Sequence, residues 1–219
     1  MNNTKIEYQK RLSEVEIYFD TLTLLDKGSC KIVCVDIIGN QINKDVDADL
    51  STILKANGFL LLYNLVEATM RNSIKAIFNS VHSKCLTFKH FTDNIRKIWI
   101  KQEIKNIQQD DILSLSKKIL ENELLVFQAE CVNISGNIDA QKIRDIAKQF
   151  GFQESKNGRD LVTIKDKRNK LAHGEFTFSE IGKECAISDL IRYKDSTKNY
   201  LDDVLDKIEN YIKDEGFKV

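Results

Sequence analysis

Proline is absent from this chain of 219 residues. Because proline removes a backbone N–H donor and clashes with the preceding helical turn, its absence leaves long stretches free to be helical. Apolar residues recur at steps of three and four in residues 5–26 and again in residues 49–81, as they do along helices with one buried face. The sequence therefore predicts an all-α fold. In the second segment, which we take as the central helix, the apolar positions are Phe59, Leu62, Val66, Met70, Ile74, Ile77 and Val81.

Residues 30–43, "CKIVCVDIIGNQIN", interrupt this helical pattern. Their β-branched residues and the Gly39-Asn40 pair predict a short β-hairpin or an extended loop on the side of the bundle. Helical spacing returns afterwards, and three helix N-caps are predicted at Asp139, Thr177 and Ser188. No repeat, low-complexity tract or linker divides the chain. We therefore expect a single domain over residues 1–219, in which residues 1–49 form an N-terminal helix and the extended segment.

Charge and cysteine content exclude several classes of protein. The 33 basic residues equal the 33 acidic ones, so no overall positive field attracts nucleic acid or an anionic membrane, and a polyanion would need a local patch. The five cysteines are odd in number and scattered, which argues against a disulfide framework and a structural zinc site. The N-terminus lacks an apolar signal core, and the longest apolar run is broken by Asn64 and Glu67. We expect a cytoplasmic protein without membrane segments.

The stretch "RNKLAHG" at residues 168–174 combines a helix end with reactive side chains. Its plain interpretation is structural, because a glycine after a histidine is typical of a helix C-terminus. If residues 161–173 are helical, Asn169 and His173 lie one turn apart on one face, whereas Arg168 points about 140° away from His173. One copy therefore does not bring the arginine and the histidine together. Basic residues concentrate here and predict a local anion site: Lys165, Lys167, Arg168 and Lys170.

A polar stripe on the central helix has the chemistry to meet this segment. It contains Asn64, Glu67, Arg71 and Lys75, at steps of three, four and four. Two interpretations stay open. Glu67 and Arg71 simply form an exposed ion pair one turn apart, or Glu67 or Asn64 orients the imidazole or guanidinium of the motif from a neighbouring helix.

"RNKLAHG" resembles the signature of the HEPN superfamily, in which a histidine follows an arginine after four to six residues and a polar residue stands directly after the arginine. Arg168, Asn169 and His173 match that pattern. The resemblance spans roughly residues 50–213, and the wider context is similar to one HEPN branch found in bacterial conflict and restriction-associated loci. Four stretches carry it in type and order: "LLLYNLVEATMRN", "GNIDAQKIRDIAKQFGF", "IKDKRNKLAHGEFTFSEIG" and "YLDDVLDKIENYI".

The resemblance implies a helical bundle that forms a homodimer and cuts RNA without a metal ion or other cofactor. Two motif helices would meet across the dimer, so that the site is composite. In such nucleases the ribose 2′-hydroxyl attacks the adjacent phosphorus. His173 would be the general base or acid, Arg168 would stabilise the charge on the phosphate, and Asn169 would hold the backbone or the phosphate. Glu67, Asn64 and Arg71 would support the site, and Lys165, Lys167 and Lys170 would bind RNA.

The resemblance is compatible with two functions of different class. In the first, the chain is an endoribonuclease that acts as a toxin or antiviral-defence effector and is restrained by an antitoxin or another defence-system partner. Alternatively, it is a non-catalytic dimeric binding module that recruits a nucleotidyltransferase or a restriction enzyme. The intact Arg168, Asn169 and His173 favour the first function. The neutral net charge favours the second function, or a narrow RNA substrate such as tRNA held by a local patch.

Overall fold

The computed structural model describes residues 1–26, 30–104, 109–128, 132, 134 and 136–219. Within these residues it contains eight α-helices and one two-stranded hairpin, which confirms the all-α fold and the short hairpin. The elements in chain order are α1 (Asn2–Asp26), β1 (Lys31–Val35), β2 (Gln41–Asp45), α2 (Ala48–His82), α3 (Asp93–Ile104), α4 (Gln109–Leu120), α5 (Ala140–Phe150), α6 (Asp160–Ala172), α7 (Phe178–Lys183) and α8 (Ile187–Lys213). A 3-10 turn spans Phe88–His90.

The chain divides into two compact units. Unit 1 comprises Met1–Glu7, Glu67–Asn157 and Tyr200–Val219, and unit 2 comprises Tyr8–Val66 and Gly158–Asn199. The division falls within α1, α2 and α8. The expectation of a single domain stays a prediction.

The core of unit 1 is rich in aromatic side chains. The rings of Phe78 and Phe127 stack with centroids 5.2 Å apart, and Phe150 lies 5.5 Å from Phe78. Trp99 on α3 is 2% exposed, as its place in a helical stripe indicates. Aromatic pairs of this geometry stabilise a core beyond the area that they bury. The second half of the central-helix stripe therefore joins an aromatic core.

The core of unit 2 forms where helices approach closely. Phe59 and Leu62 of α2 are fully buried, and Phe19 of α1 is 2% exposed. Gly58 allows this approach, because a Cβ atom there would lie 3.3 Å from the Phe19 ring. Gly182 on α7 likewise faces the backbone of Thr52, and any side chain at that position would collide with it. All seven apolar positions predicted for the central helix are buried in one or other unit.

Two of the three predicted N-caps are confirmed. The Asp139 carboxylate accepts a hydrogen bond from the Lys142 N–H at 2.9 Å at the start of α5. Thr177 and Glu180 form a reciprocal capping box at the start of α7. The prediction for Ser188 was wrong, because α8 begins one residue earlier, at Ile187. The first turn of α8 is instead joined to Ala186, whose carbonyl accepts the N–H groups of Asp189 and Leu190.

Candidate active site

Helix α6 carries the predicted motif, and its apolar side is buried within unit 2. Leu161, Ile164 and Leu171 are buried, as the sequence predicts. At its first residue, the Asp160 carboxylate accepts a hydrogen bond from the Arg192 guanidinium at 2.8 Å. This ion pair also places a negative charge at the positive end of the helix dipole. The start of the helix is therefore anchored, and its polar face carries the motif.

The end of α6 is a tight left-handed turn. Gly174 has a φ of +68°, a conformation that glycine adopts without steric cost. The Gly174 N–H bonds to the Leu171 carbonyl at 3.2 Å, and the Glu175 N–H bonds to the Lys170 carbonyl at 3.0 Å. These two bonds make a Schellman motif. His173 and Gly174 therefore do form a helix C-terminus, as the structural interpretation predicts. The turn leaves the His173 side chain exposed.

Among the described residues of unit 2, no side chain or backbone group forms a hydrogen bond with the His173 imidazole. Its own backbone N–H bonds to the Asn169 carbonyl at 2.9 Å. The backbone of His173 is therefore held in place, while its ring nitrogens stay accessible. Such a ring is available to exchange a proton with a molecule from solution.

Arg168 is held in a defined position instead of extending into solvent. Its guanidinium lies over the ring of Tyr63, 4.2 Å from the centroid, and its Nη1 donates to the Asn169 Oδ1 at 2.9 Å. Tyr63 on α2 is only 3% exposed, so the ring is a rigid support. Stacking of this kind orients a guanidinium without neutralising its charge. The structure thus brings Arg168 and Asn169 together, and it adds Tyr63 to the site.

Tyr63 was not among the residues predicted for the site. It stands inside the apolar run "GFLLLYNLVEATM", where an aromatic residue is expected in the core. Its burial agrees with that expectation, and only the ring's contact with Arg168 reveals a second role. No signal in a single sequence distinguishes such a tyrosine from its buried neighbours.

The predicted RNA-binding lysines differ in their surroundings. Lys167 donates a hydrogen bond to the Glu184 carboxylate, and this bond lowers the pKa of Glu184 below its usual value. Part of the positive charge of Lys167 is therefore compensated. The Lys170 ammonium lies 4.8 Å from the centroid of the Phe176 ring, and Lys165 is half-buried. Binding of RNA by these lysines stays a prediction.

In the polar stripe of α2, Glu67 and Arg71 form the ion pair that the first interpretation predicts. Arg71 donates to Glu67 at 2.6 Å, and this ion pair lies one helical turn apart within unit 1. Asn64, in unit 2, accepts a hydrogen bond from Arg11 at 3.4 Å. Pairs of this kind on a partly exposed helix face contribute little to stability. Support of the motif by Glu67, Asn64 and Arg71 stays a prediction.

The other two histidines have structural roles in unit 1. The His82 Nε2 accepts the Phe127 N–H at 2.9 Å, and the His90 ring contacts Thr87 in the capping box of the 3-10 turn. Among the described residues, no group of three or more His, Cys, Asp or Glu side chains is arranged to hold a metal ion. No helix in the described part of the chain has the length and hydropathy needed to span a membrane.

Comparison with known proteins identifies the family of the chain. No curated protein and no solved structure is significantly similar to the chain. Residues 4–217 match the family described as HEPN_MAE_28990-like HEPN. The match covers both units, from α1 to the residues that follow α8. The chain therefore belongs to the HEPN_MAE_28990-like family of HEPN domains.

Proposed function

We propose that the protein is a metal-independent endoribonuclease of the HEPN type. The observation that carries the proposal is the end of α6, where Arg168 is fixed on Tyr63 and Asn169 while the imidazole of His173 is open to solvent. Family membership supports an RNA-related function at the level of the superfamily. The two side chains have the complementary chemistry that phosphodiester cleavage needs: one exchanges a proton, and the other stabilises negative charge.

The proposed reaction uses the nucleophile of the substrate itself. His173 removes the proton of a ribose 2′-hydroxyl, and the 2′-oxygen forms a bond to the adjacent phosphorus. The bond between phosphorus and the 5′-oxygen breaks, and that oxygen takes a proton from solvent. The products are a 2′,3′-cyclic phosphate and a 5′-hydroxyl. Arg168 stabilises the charge that develops on the non-bridging oxygens, for which its planar fork of donors is suited.

We further propose that the site is composite, with Arg168 from one copy and His173 from a second copy. The support is geometric: the two residues point in different directions on one helix, and Arg168 already contacts Asn169 within its own chain. A homodimer whose α6 helices face each other would bring the two functions together. Mixing the Arg168→Ala and His173→Ala proteins tests this, since mixed dimers would contain one intact site. Recovery of cleavage is expected, and a mixture as inactive as its components contradicts the composite site.

RNA cleavage is tested with purified protein and single-stranded RNA in the presence of EDTA. We expect cleavage with a 2′,3′-cyclic phosphate on one product and a 5′-hydroxyl on the other. DNA of the same sequence should survive, because it lacks the 2′-hydroxyl. His173→Ala should lose about 10²–10⁴ of the cleavage rate. Activity that disappears with EDTA and returns with magnesium would show that the mechanism is wrong.

In the cell, we propose that the enzyme acts as a toxin or antiviral-defence effector, held by an antitoxin or another defence-system partner. The support is the likeness of the motif and its surroundings to HEPN proteins of bacterial conflict loci. Expression of the wild-type protein should arrest growth, whereas expression of His173→Ala at the same level should not. Equal growth with both proteins would remove the support for a toxin.

A non-catalytic binding module is the second candidate, and one observation favours it. Lys167 is paired with Glu184, which reduces the positive charge available to RNA near the motif. In that case the dimer would recruit a nucleotidyltransferase or a restriction enzyme. A partner that binds wild type and His173→Ala equally well, together with the absence of RNA cleavage under every condition, would identify the module.

A further inference from the structure

The β-hairpin of unit 2 exposes an unusual amount of apolar surface. All ten residues of β1 and β2 are exposed. The hairpin also presents six large aliphatic side chains that are between 44% and 106% exposed: Ile32, Val33, Val35, Ile37, Ile38 and Ile42. Taking ~100 Å² for a fully exposed aliphatic side chain, they present on the order of 400 Å² of apolar surface. A patch of this size on a monomer is often a site of interaction.

The hairpin is nevertheless a built structure with a fixed turn. The Asp36 carboxylate accepts hydrogen bonds from the N–H groups of Ile38 and Asn40 and from the Asn40 side chain, at 2.8–2.9 Å. These bonds lower the pKa of Asp36, and Gly39 adopts a φ of +86°. An isolated two-stranded hairpin is at best marginally stable in water. The hairpin therefore combines a fixed turn with apolar residues on both of its faces.

The register identifies which backbone groups face outward. Val46 N–H bonds to the Cys30 carbonyl and Asp36 N–H bonds to the Asn40 carbonyl, both at 2.9 Å. Because Val33 pairs with Asn43, these bonds show that the N–H and carbonyl groups of the even-numbered residues of β1 form the hydrogen bonds with β2. The N–H and carbonyl groups of the odd-numbered residues in both strands therefore point away from the hairpin, and no other strand among the described residues pairs with either edge.

The two open edges differ in charge. The β2 edge carries Lys44 and Asp45, and charged residues on an edge strand oppose pairing with another chain. The β1 edge reads Lys31, Ile32, Val33, Cys34, Val35, and its one charged residue already lies 3.6 Å from its own Asp45. Strand β1 is thus the edge that lacks protection against pairing.

We propose that β1 pairs antiparallel with β1 of a second copy, so that two hairpins form a four-stranded sheet. The strand is self-complementary about Val33. In that register Val33 faces its own copy, Ile32 faces Cys34, and no charged residue opposes another of the same sign. Pairing of the two β1 edges would satisfy the outward N–H and carbonyl groups of both strands and bring Ile32, Val33 and Val35 of the two copies side by side. The inference does not depend on the proposed ribonuclease activity.

Disulfide cross-linking of the full chain tests the register directly, because the chain already has a thiol at Cys34. Ile32→Cys would place a new thiol opposite Cys34 of the second copy, at a closely spaced pair that suits a disulfide. Val35→Cys is the matched control: it adds a thiol to the same strand, but one that faces Lys31 of the second copy. Under mild oxidation, we expect Ile32→Cys to form a covalent dimer at least tenfold faster than Val35→Cys. Equal rates, or no covalent dimer from Ile32→Cys, would overturn the proposal.

Charge at position 33 provides a second test that does not require a disulfide. Val33→Lys and Val33→Glu are each combined with Ile32→Cys in the same chain. Each substitution at position 33 places like charges opposite each other in the pairing, so each protein alone should form little covalent dimer under oxidation. A mixture of the two should regain the covalent dimer, because lysine then faces glutamate. A mixture that cross-links no better than its components contradicts the register. Equal cross-linking in all samples would show that the copies meet through another segment, such as the α6 helices, and would reject the pairing of β1.

Discussion

Two histidines of this chain stand at the ends of helices, and they differ in what their rings contact. His82 is the last residue of α2 in unit 1, and its Nε2 accepts the backbone N–H of Phe127 at 2.9 Å. His173 follows the last residue of α6 in unit 2, and its ring has no hydrogen-bond partner among the described residues of that unit. A position at a helix end therefore does not assign a role to a histidine. The role depends on whether the ring nitrogen is already used.

The residues around each histidine extend the comparison. The His82 ring also lies against the Phe127 ring, with centroids 6.2 Å apart, so both its polar and apolar surfaces serve the fold. His173 is accompanied on its helix by Arg168, whose guanidinium is oriented by Tyr63. A fixed cation and an accessible imidazole are the two groups that catalysis at a phosphate requires, and the proposed homodimer would bring them together. Unit 1 uses His82 for stability, and we propose that unit 2 uses His173 for chemistry.

After that of His173→Ala, the largest effect on cleavage should come from Arg168, whose guanidinium we propose stabilises charge on the phosphate. Arg168→Lys keeps the charge but loses the planar fork and the stacking on Tyr63, and we expect cleavage to fall by about 10²–10³-fold with unchanged unfolding. Initial rates under single-turnover conditions measure this. Arg144→Ala, a change in unit 1, should leave the rate unchanged. A lysine variant as fast as wild type would mean that the guanidinium is not part of the chemistry.

The next largest effect is a loss of stability on substitution of His82. His82→Ala removes the acceptor of the Phe127 N–H and should lower the free energy of unfolding by about 1–3 kcal/mol. His173→Ala removes only an exposed ring and should change stability by no more than ~0.5 kcal/mol. Urea unfolding of the two variants checks both values. If the two variants lose equal stability, the contrast between the histidines is incorrect.

Substitutions in the turns that follow α2 and α6 should change the free energy of unfolding in opposite directions. The turn after α2 places Cys85 in the left-handed region, at a φ of +48°, whereas the turn after α6 has Gly174 there. Cys85→Gly should raise the free energy of unfolding by up to about 1 kcal/mol, because glycine relieves the strain. Gly174→Ala should lower it by about 1 kcal/mol, although no atom lies within 4 Å of the added Cβ. Thermal unfolding measures both, and stabilisation by Gly174→Ala would contradict this account of the α6 turn.

The smallest effect should come from the lysines beside the motif. Lys170→Ala should weaken RNA binding and reduce the slope of log K against log salt by about one, the value for one phosphate contact. The rate at saturating RNA should stay close to that of wild type. Lys97→Ala removes the same charge from α3 in unit 1 and should leave the slope unchanged. Equal slopes for wild type and Lys170→Ala would remove this lysine from the RNA interface.

Much of the fold could be predicted because it depends on local patterns. The central helix follows from apolar spacing, and the caps at Asp139 and Thr177 follow from a side chain and a backbone donor three residues away. The hairpin follows from β-branched residues and a Gly-Asn turn. The cap at Ser188 failed because several neighbouring residues can begin a helix equally well.

Contacts between distant segments were not predictable in the same way. Tyr63 and Arg168 are separated by more than one hundred residues, and nothing near either one indicates the other. The same holds for His82 and the backbone of Phe127, which share no sequence pattern. The exposure of the hairpin also depends on what the rest of unit 2 leaves uncovered. A single sequence carries the motif residues, but only the fold shows which polar groups are already used.

The comparison between the two histidines can be tested most directly by substituting each with alanine and measuring RNA cleavage in EDTA. We expect His173→Ala to lose about 10²–10⁴ of the cleavage rate, the usual contribution of a general base. We expect His82→Ala, assayed at a temperature at which it is folded, to cleave as fast as wild type. His173→Ala that cleaves like wild type, or a loss in His82→Ala as large as that in His173→Ala, would contradict the assignment of catalysis to the end of α6.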